Sequence, residues 1–199
     1  MDHAIVDDLL RLKVRQHSVY DAGGKGVAAR IARALNEYLE KYDRDHCFTA
    51  KDICLMHESW LGAIYEWAGK YRQVNISKGN FTFSMARQVP TLMEQLEQSP
   101  FHDFTPCLFT DQQEIIHAIA VVHTELVFIH PFREGNGRLA RMLAVFMGLQ
   151  AGLPPLSFGG ILGKRKQKYF AAVQAGMDYN YAPIENIFKD VLARTLRED

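Results

Sequence analysis

Apolar residues recur at helical spacing along most of the chain. Ile5, Leu9, Leu12 and Val19 outline a first helix, and Val27, Ile31, Ala34, Leu35, Tyr38 and Leu39 a second, after the Gly23-Gly24 break. Thr49 stands as a cap before a third run containing Ile53, His57, Trp60, Leu61 and Ile64, expected to close at Gly69. Val89, Leu92, Met93 and Leu96 resume the pattern, and Ile115, Ile119, Val122 and Leu126 follow a Thr110-Asp111 cap. Leu139, Met142, Leu143, Phe146 and Leu149 mark a further helix, ended by Gly152 and Pro154-Pro155, before two amphipathic runs around 166–177 and 184–196. The period changes only between Tyr71 and Phe83. There Val74 and Ile76, then Phe81 and Phe83, alternate with polar residues around Lys78-Gly79-Asn80, which is turn chemistry. The pattern predicts an all-α fold: a compact bundle of about eight helices with one β-hairpin.

Length and composition narrow this picture. A chain of 199 residues, 48% of them hydrophobic, suffices for a single domain with its own core, taken here as residues 1–199. Lys plus Arg and Asp plus Glu balance at 23 each, which argues against nucleic acid as a partner. Cys47, Cys54 and Cys107 form no CxxC pair and read as reduced, buried thiols of a cytoplasmic protein. The N-terminus lacks the basic start and apolar run of a signal peptide. The most apolar later segment, Leu139 to Leu149, is shorter than the ~20 residues that span a bilayer, so no membrane association is expected.

The stretch from His130 to Arg141, HPFREGNGRLAR, concentrates chemistry between two apolar helices. Gly135 and Gly137 allow backbone conformations in which successive N–H groups point into one concavity, and the following helix adds its N-terminal dipole. Asn136 can donate its side-chain amide into the same concavity, and Arg138 and Arg141, three apart on the helix, can both reach phosphates. Glu134 offers one hard carboxylate oxygen, which with phosphate oxygens and waters suits Mg²⁺. His130 remains for proton transfer, and Phe132 is expected to point into the core and fix the loop.

These residues match, at every fixed position, the Fic signature His-any-Phe-any-Asp/Glu-Gly-Asn-Gly-Arg-any-any-Arg, so the chain resembles the Fic family. The resemblance extends to Leu55-Met56-His57 and to Tyr65 through Arg72, similar to the family's helix leading into a hairpin. Asn75 to Gly79 with Phe83 is similar to its flap, and the run from Lys166 through Ala175 to Leu196 to its closing helices. The implied core is 46–199, with the flap at 71–83 and residues 1–45 poorly matched. The resemblance implies a protein adenylyltransferase that moves AMP from ATP to a Ser, Thr or Tyr hydroxyl of a target protein, releasing pyrophosphate. In that reading His130 is the general base and Glu134 holds Mg²⁺ against the α- and β-phosphates. Gly135, Asn136 and Gly137 stabilise the α-phosphoryl, while Arg138 and Arg141 grip the departing pyrophosphate. The flap pins the target's main chain as an added strand, and Lys78 is expected to approach the nucleotide.

Competing readings stay in view. His117 and His123 are six apart, the wrong spacing for a zinc pair on one helical face with Glu125. Lys164 to Lys168 reads as a solvated helix start, and Tyr169, Phe170, Phe188 and the methionines as core. Relatives of the family move UMP, phosphocholine or phosphate, and others are toxins silenced by a small antitoxin. The family's inhibitory helix, Ser/Thr-three residues-Glu-Gly/Asn, finds no match: Tyr181 precedes Glu185-Asn186, and Ala22 stands where Ser18 would require Glu. Control by a separate small antitoxin protein is therefore the expectation.

Overall fold

Helix α1 (Ala50–Leu61) begins where a capping box allows it: the Asp52 N–H donates to Thr49 Oγ1, and the Thr49 N–H donates back to Asp52 Oδ2. It belongs to a computed structural model that describes residue 37, residues 40–79, 81–158 and 164–198. The two N-terminal helices expected from the sequence, the Ser18 to Gly23 segment and Asn80 of the flap turn lie outside these residues, apart from Glu37, Glu40 and Lys41, which are helical. Beyond α1 come β1 (Ser77–Lys78), β2 (Phe81–Thr82), α2 (Val89–Leu96), α3 (Gln112–Ile129), α4 (Asn136–Gln150), α5 (Lys164–Ala175) and α6 (Ala182–Glu198). The architecture of the described residues is therefore mostly helical, with six α-helices of 8 to 18 residues and one small sheet.

The centre is α3. Asp111 caps it by accepting from the Gln113 and Glu114 N–H groups, and from Ile115 to Ile129 its residues are buried on nearly every face. A helix apolar all round must be enclosed, and α4 provides its most extensive contact, with α2 and α6 against other sides. Phe132, Leu139, Leu143 and Phe146 of the motif segment and α4 join Met93 of α2 and Phe188 and Val191 of α6 in one continuous core. No described helix is long and apolar enough to cross a membrane.

Two expected boundaries move. Helix α1 ends at Leu61, not near Gly69: Gly62 caps it, tight turns follow, and Ile64, which keeps helical spacing, and Tyr65 are exposed. The hairpin is also shorter than 71–83. Only Ser77 with Thr82 and Lys78 with Phe81 pair, extended by one bond from the Phe83 N–H to the Ile76 carbonyl, because the Arg72 N–H is bound to the Pro131 carbonyl and the Val74 carbonyl to the Arg72 guanidinium. Lys164 begins α5, and Arg165 to Lys168 are exposed there as expected. Cys107 is buried but Cys47 is exposed, so the thiols are not uniformly core residues.

Candidate active site

The site is built where α3 stops and α4 starts. His130 ends α3 in the left-handed region (φ 50°, ψ 58°), its N–H still donating to the Leu126 carbonyl, and Pro131 cannot continue the helix. The chain then turns through 131–135 around Phe132, which is fully buried. Asn136 fastens this turn: its Oδ1 accepts from the Phe132 N–H at 2.9 Å and its Nδ2 donates to the Phe132 carbonyl at 2.8 Å. That differs from the expected role, because the side-chain amide shapes the loop instead of opening into the concavity.

His57 of α1 supports the loop from below. The Gly69 N–H donates to its Nδ1, so its Nε2 carries the proton and donates to the Glu134 carbonyl at 2.9 Å. Its ring stacks on Phe132 with centroids 3.8 Å apart. Burial pushes its pKa down to about 4, which keeps this neutral tautomer in place. Trp60, one turn along α1, lies under Gly135. A Cβ on Gly135 would come within 2.8 Å of the indole, and its φ of 87° also favours glycine, so both space and backbone require Gly there.

His130 itself has a defined orientation. Its Nδ1 lies 3.1 Å from the Val127 carbonyl, which can only accept, so Nδ1 holds the proton and Nε2 carries the free lone pair. Phe83 from the flap stacks on the imidazole with centroids 3.6 Å apart. Burial is the main cause that lowers the His130 pKa to about 4, helped by the Arg72 and Lys78 charges and opposed by the Val127 bond and Glu134. The ring is a neutral base at physiological pH.

Beyond the turn α4 begins, and a helix N-terminus of this kind suits an anion. Gly135 caps the helix, and the N–H groups of Asn136 and Gly137 have no acceptor within their own helix, as in any first turn. Glu134 Oε1 accepts from the Gly135 N–H at 2.9 Å and pairs with Arg138 at 3.0 Å, on an exposed rim. The Arg138 guanidinium also lies over the Trp60 ring, 4.9 Å from its centroid. Arg141 follows one turn later beside the buried Tyr169 hydroxyl, which stands 2.6 Å from His123 Nε2. Lys78 of the flap rests on Phe170 of α5, its Nζ 4.4 Å from the ring centroid. The fold thus gathers His130, Glu134, Gly135, Asn136, Gly137, Arg138 and Arg141 on one loop and helix, with Lys78 brought toward His130 by the flap.

A model of the Fic/DOC family matches residues 47–147. The chain belongs to the Fic/DOC family. It is 34% identical over 117 residues to the protein adenylyltransferase Fic of Nematostella vectensis, covering 57% of this chain and 26% of that protein. It is 33% identical over 112 residues to the protein adenylyltransferase VbhT of Bartonella schoenbuchensis, covering 56% and 22%. The chain spans about a quarter of the length of these curated relatives. Among solved structures, the VirB-translocated effector BepC of Bartonella tribocorum with bound AMPPNP superposes with a TM-score of 0.64 at 24% identity, covering 83% of both chains. A Fic domain containing signaling protein from Bacteroides thetaiotaomicron gives a TM-score of 0.70 at 19% identity, covering 98% of this chain and 87% of that one.

In this Fic domain the side chains that hold the motif were not all legible from it. His57, Trp60, Arg72 and Tyr169 lie outside the motif, and only the fold brings them to it. Within the sequence His57 has no partner at an informative spacing, and Arg72 stands only as one residue of the run that leads into the hairpin. Glu185 and the two candidate zinc histidines are occupied elsewhere. His117 Nδ1 and Gln113 Nε2 both contact the Glu185 carboxylate, at 2.7 and 3.1 Å, and His123 meets Tyr169.

Proposed function

We propose that this chain is a protein adenylyltransferase, transferring AMP from ATP to a Ser, Thr or Tyr hydroxyl of a target protein and releasing pyrophosphate. One observation carries the reading: an imidazole whose Nε2 is the free base stands beside a helix N-terminus opened by Gly135 and followed by two arginines. The N–H groups of that N-terminus and the helix dipole suit the α-phosphoryl group, and Arg138 and Arg141 suit the leaving pyrophosphate. His130 Nε2 accepts the proton of the target hydroxyl as its oxygen bonds to the α-phosphorus and the bond to the β-phosphate oxygen breaks. The neutral state of His130 and its fixed tautomer support that role.

Glu134 fits Mg²⁺. With Oε1 engaged by Gly135 and Arg138, Oε2 remains as a single hard ligand on the rim, and Mg²⁺ commonly takes one carboxylate together with substrate phosphates. Bound there, the ion would offset phosphate charge. The flap edge would pair with the main chain of the target, and Lys78 would stand close to the nucleotide. Among the described residues no carboxylate forms an ion pair with Arg141, so an inhibiting carboxylate would have to come from elsewhere, and a small antitoxin partner fits that need.

The experiment compares His130→Ala with wild type for transfer and for ATP binding. Transfer should fall by roughly 10²–10⁴-fold, the usual worth of a general base, with nucleotide affinity nearly unchanged. Near-wild-type transfer would overturn the assignment.

A further inference from the structure

The flap and the motif loop share one buried cation. Arg72 is 1% exposed, and no carboxylate among the described residues forms an ion pair with it. Its Nε donates to the His130 carbonyl at 2.7 Å and its Nη2 to the Ile129 carbonyl at 3.3 Å. Its Nη1 donates to the Val74 carbonyl at 2.7 Å, and Nη2 also to the Ser84 carbonyl at 2.5 Å. The Arg72 main-chain N–H donates to the Pro131 carbonyl at 2.9 Å.

Those acceptors fall into two sets. Ile129 and His130 close α3, where the last carbonyls have no intrahelical donors and the helix dipole is negative, so a cation is favoured without a carboxylate. Val74 and Ser84 are the two stems of the flap, immediately before and after the segment that carries Lys78 and Phe83. A guanidinium, with five donors in a planar fork, can span both sets, whereas an ammonium is a point charge.

We infer that Arg72 is a positioning residue that couples the flap to His130, holding the stacked Phe83 and the imidazole as one unit. This rests on the reading of His130 as the base. His130 holds a left-handed backbone conformation that a non-glycine residue adopts at a cost, and Arg72 fastens its carbonyl and the next one. Strand pairing of a target at the flap would be felt at His130 through the same guanidinium. The charged groups facing the imidazole are Arg72, Lys78 and Glu134, so loss of Arg72 also removes one positive neighbour.

The test uses Arg72→Lys and Arg72→Gln in the full chain, with His130 and Phe83 ring signals followed by NMR beside transfer kinetics. Arg72→Lys should lose the ring-current shift that Phe83 imposes on His130 and lower kcat on the order of a hundredfold, as expected for a misplaced base, with the KM for ATP little changed. Arg72→Gln should do the same and raise the pH at which His130 titrates. Folded variants that keep the ring contact, the titration and kcat would overturn the coupling. A wild-type measurement needs no variant: in hydrogen exchange the Ser84 and Arg72 main-chain N–H groups should open together with that of His130. Opening of Ser84 at a much lower free energy than His130 would also overturn it. Intact coupling alongside a fully active His130→Ala would instead leave Arg72 in place and remove only the base assignment.

Discussion

His130 is neutral at physiological pH because burial disfavours the imidazolium, and this sets the pH dependence of the free protein. The imidazole is protonated only below about 4, so the acid limb of kcat/KM should fall near there and not near the ordinary histidine value of ~6.5. A limb centred at ~6.5 would show that the base is solvated and not enclosed by Phe83 and Arg72. Asn136 makes a second residue-scale prediction. Asn136→Ala removes both bonds to Phe132 and leaves a buried N–H and carbonyl unpaired, a loss of roughly 1–3 kcal/mol for each, read as a fall in Tm. An unchanged Tm would mean that the turn is held by His57 and Trp60 alone. At this scale the candidate site at 130–141 was legible because complementary residue types sit close together in sequence. His57 and Arg72 were not, since they act through backbone carbonyls far along the chain and leave no spacing signal.

At the scale of elements, caps and breaks predicted starts better than ends. Thr49 and Asp111 begin α1 and α3 as their side-chain chemistry requires, whereas α1 stops at Leu61 although apolar spacing continues to Ile64. The short hairpin has the same origin: Arg72 and Val74, which look like strand residues, are committed to the end of α3 and the flap stem. Helix α6 gives a sharper case. Glu185 is the only glutamate outside the motif that Gly or Asn follows, but it pairs with His117 and Gln113 near the start of α3. His117 stands roughly 20 Å from His130 along that helix, at about 1.5 Å per residue. Glu185→Gly should therefore leave transfer unchanged. Strong activation of a silent wild type by that substitution would place an inhibitory contact at α6.

For the whole molecule, two buried histidines, His57 and His123, and the half-buried His130 tie the site to acid stability. His57 and His130 titrate at about 4 and His123 at about 3 in the folded protein, each lowered mainly by burial, against ~6.5 when unfolded. Between these values the unfolded state binds more protons, so stability is fully present above pH ~6.5 and is lost as pH falls toward 4. The Tm should drop over that window, and a flat profile would contradict the burial of these rings. The helical class and the hairpin were legible from period and turn chemistry, while the enclosure of α3 and the underside of the motif loop arise only from packing. The central claim is transfer of AMP, and parallel incubations of the chain and target proteins with ATP labelled at the α or the γ phosphate test it most directly. Protein-bound label should appear from the α position alone and vanish with His130→Ala, whereas label from the γ position alone would show phosphate transfer and contradict the account.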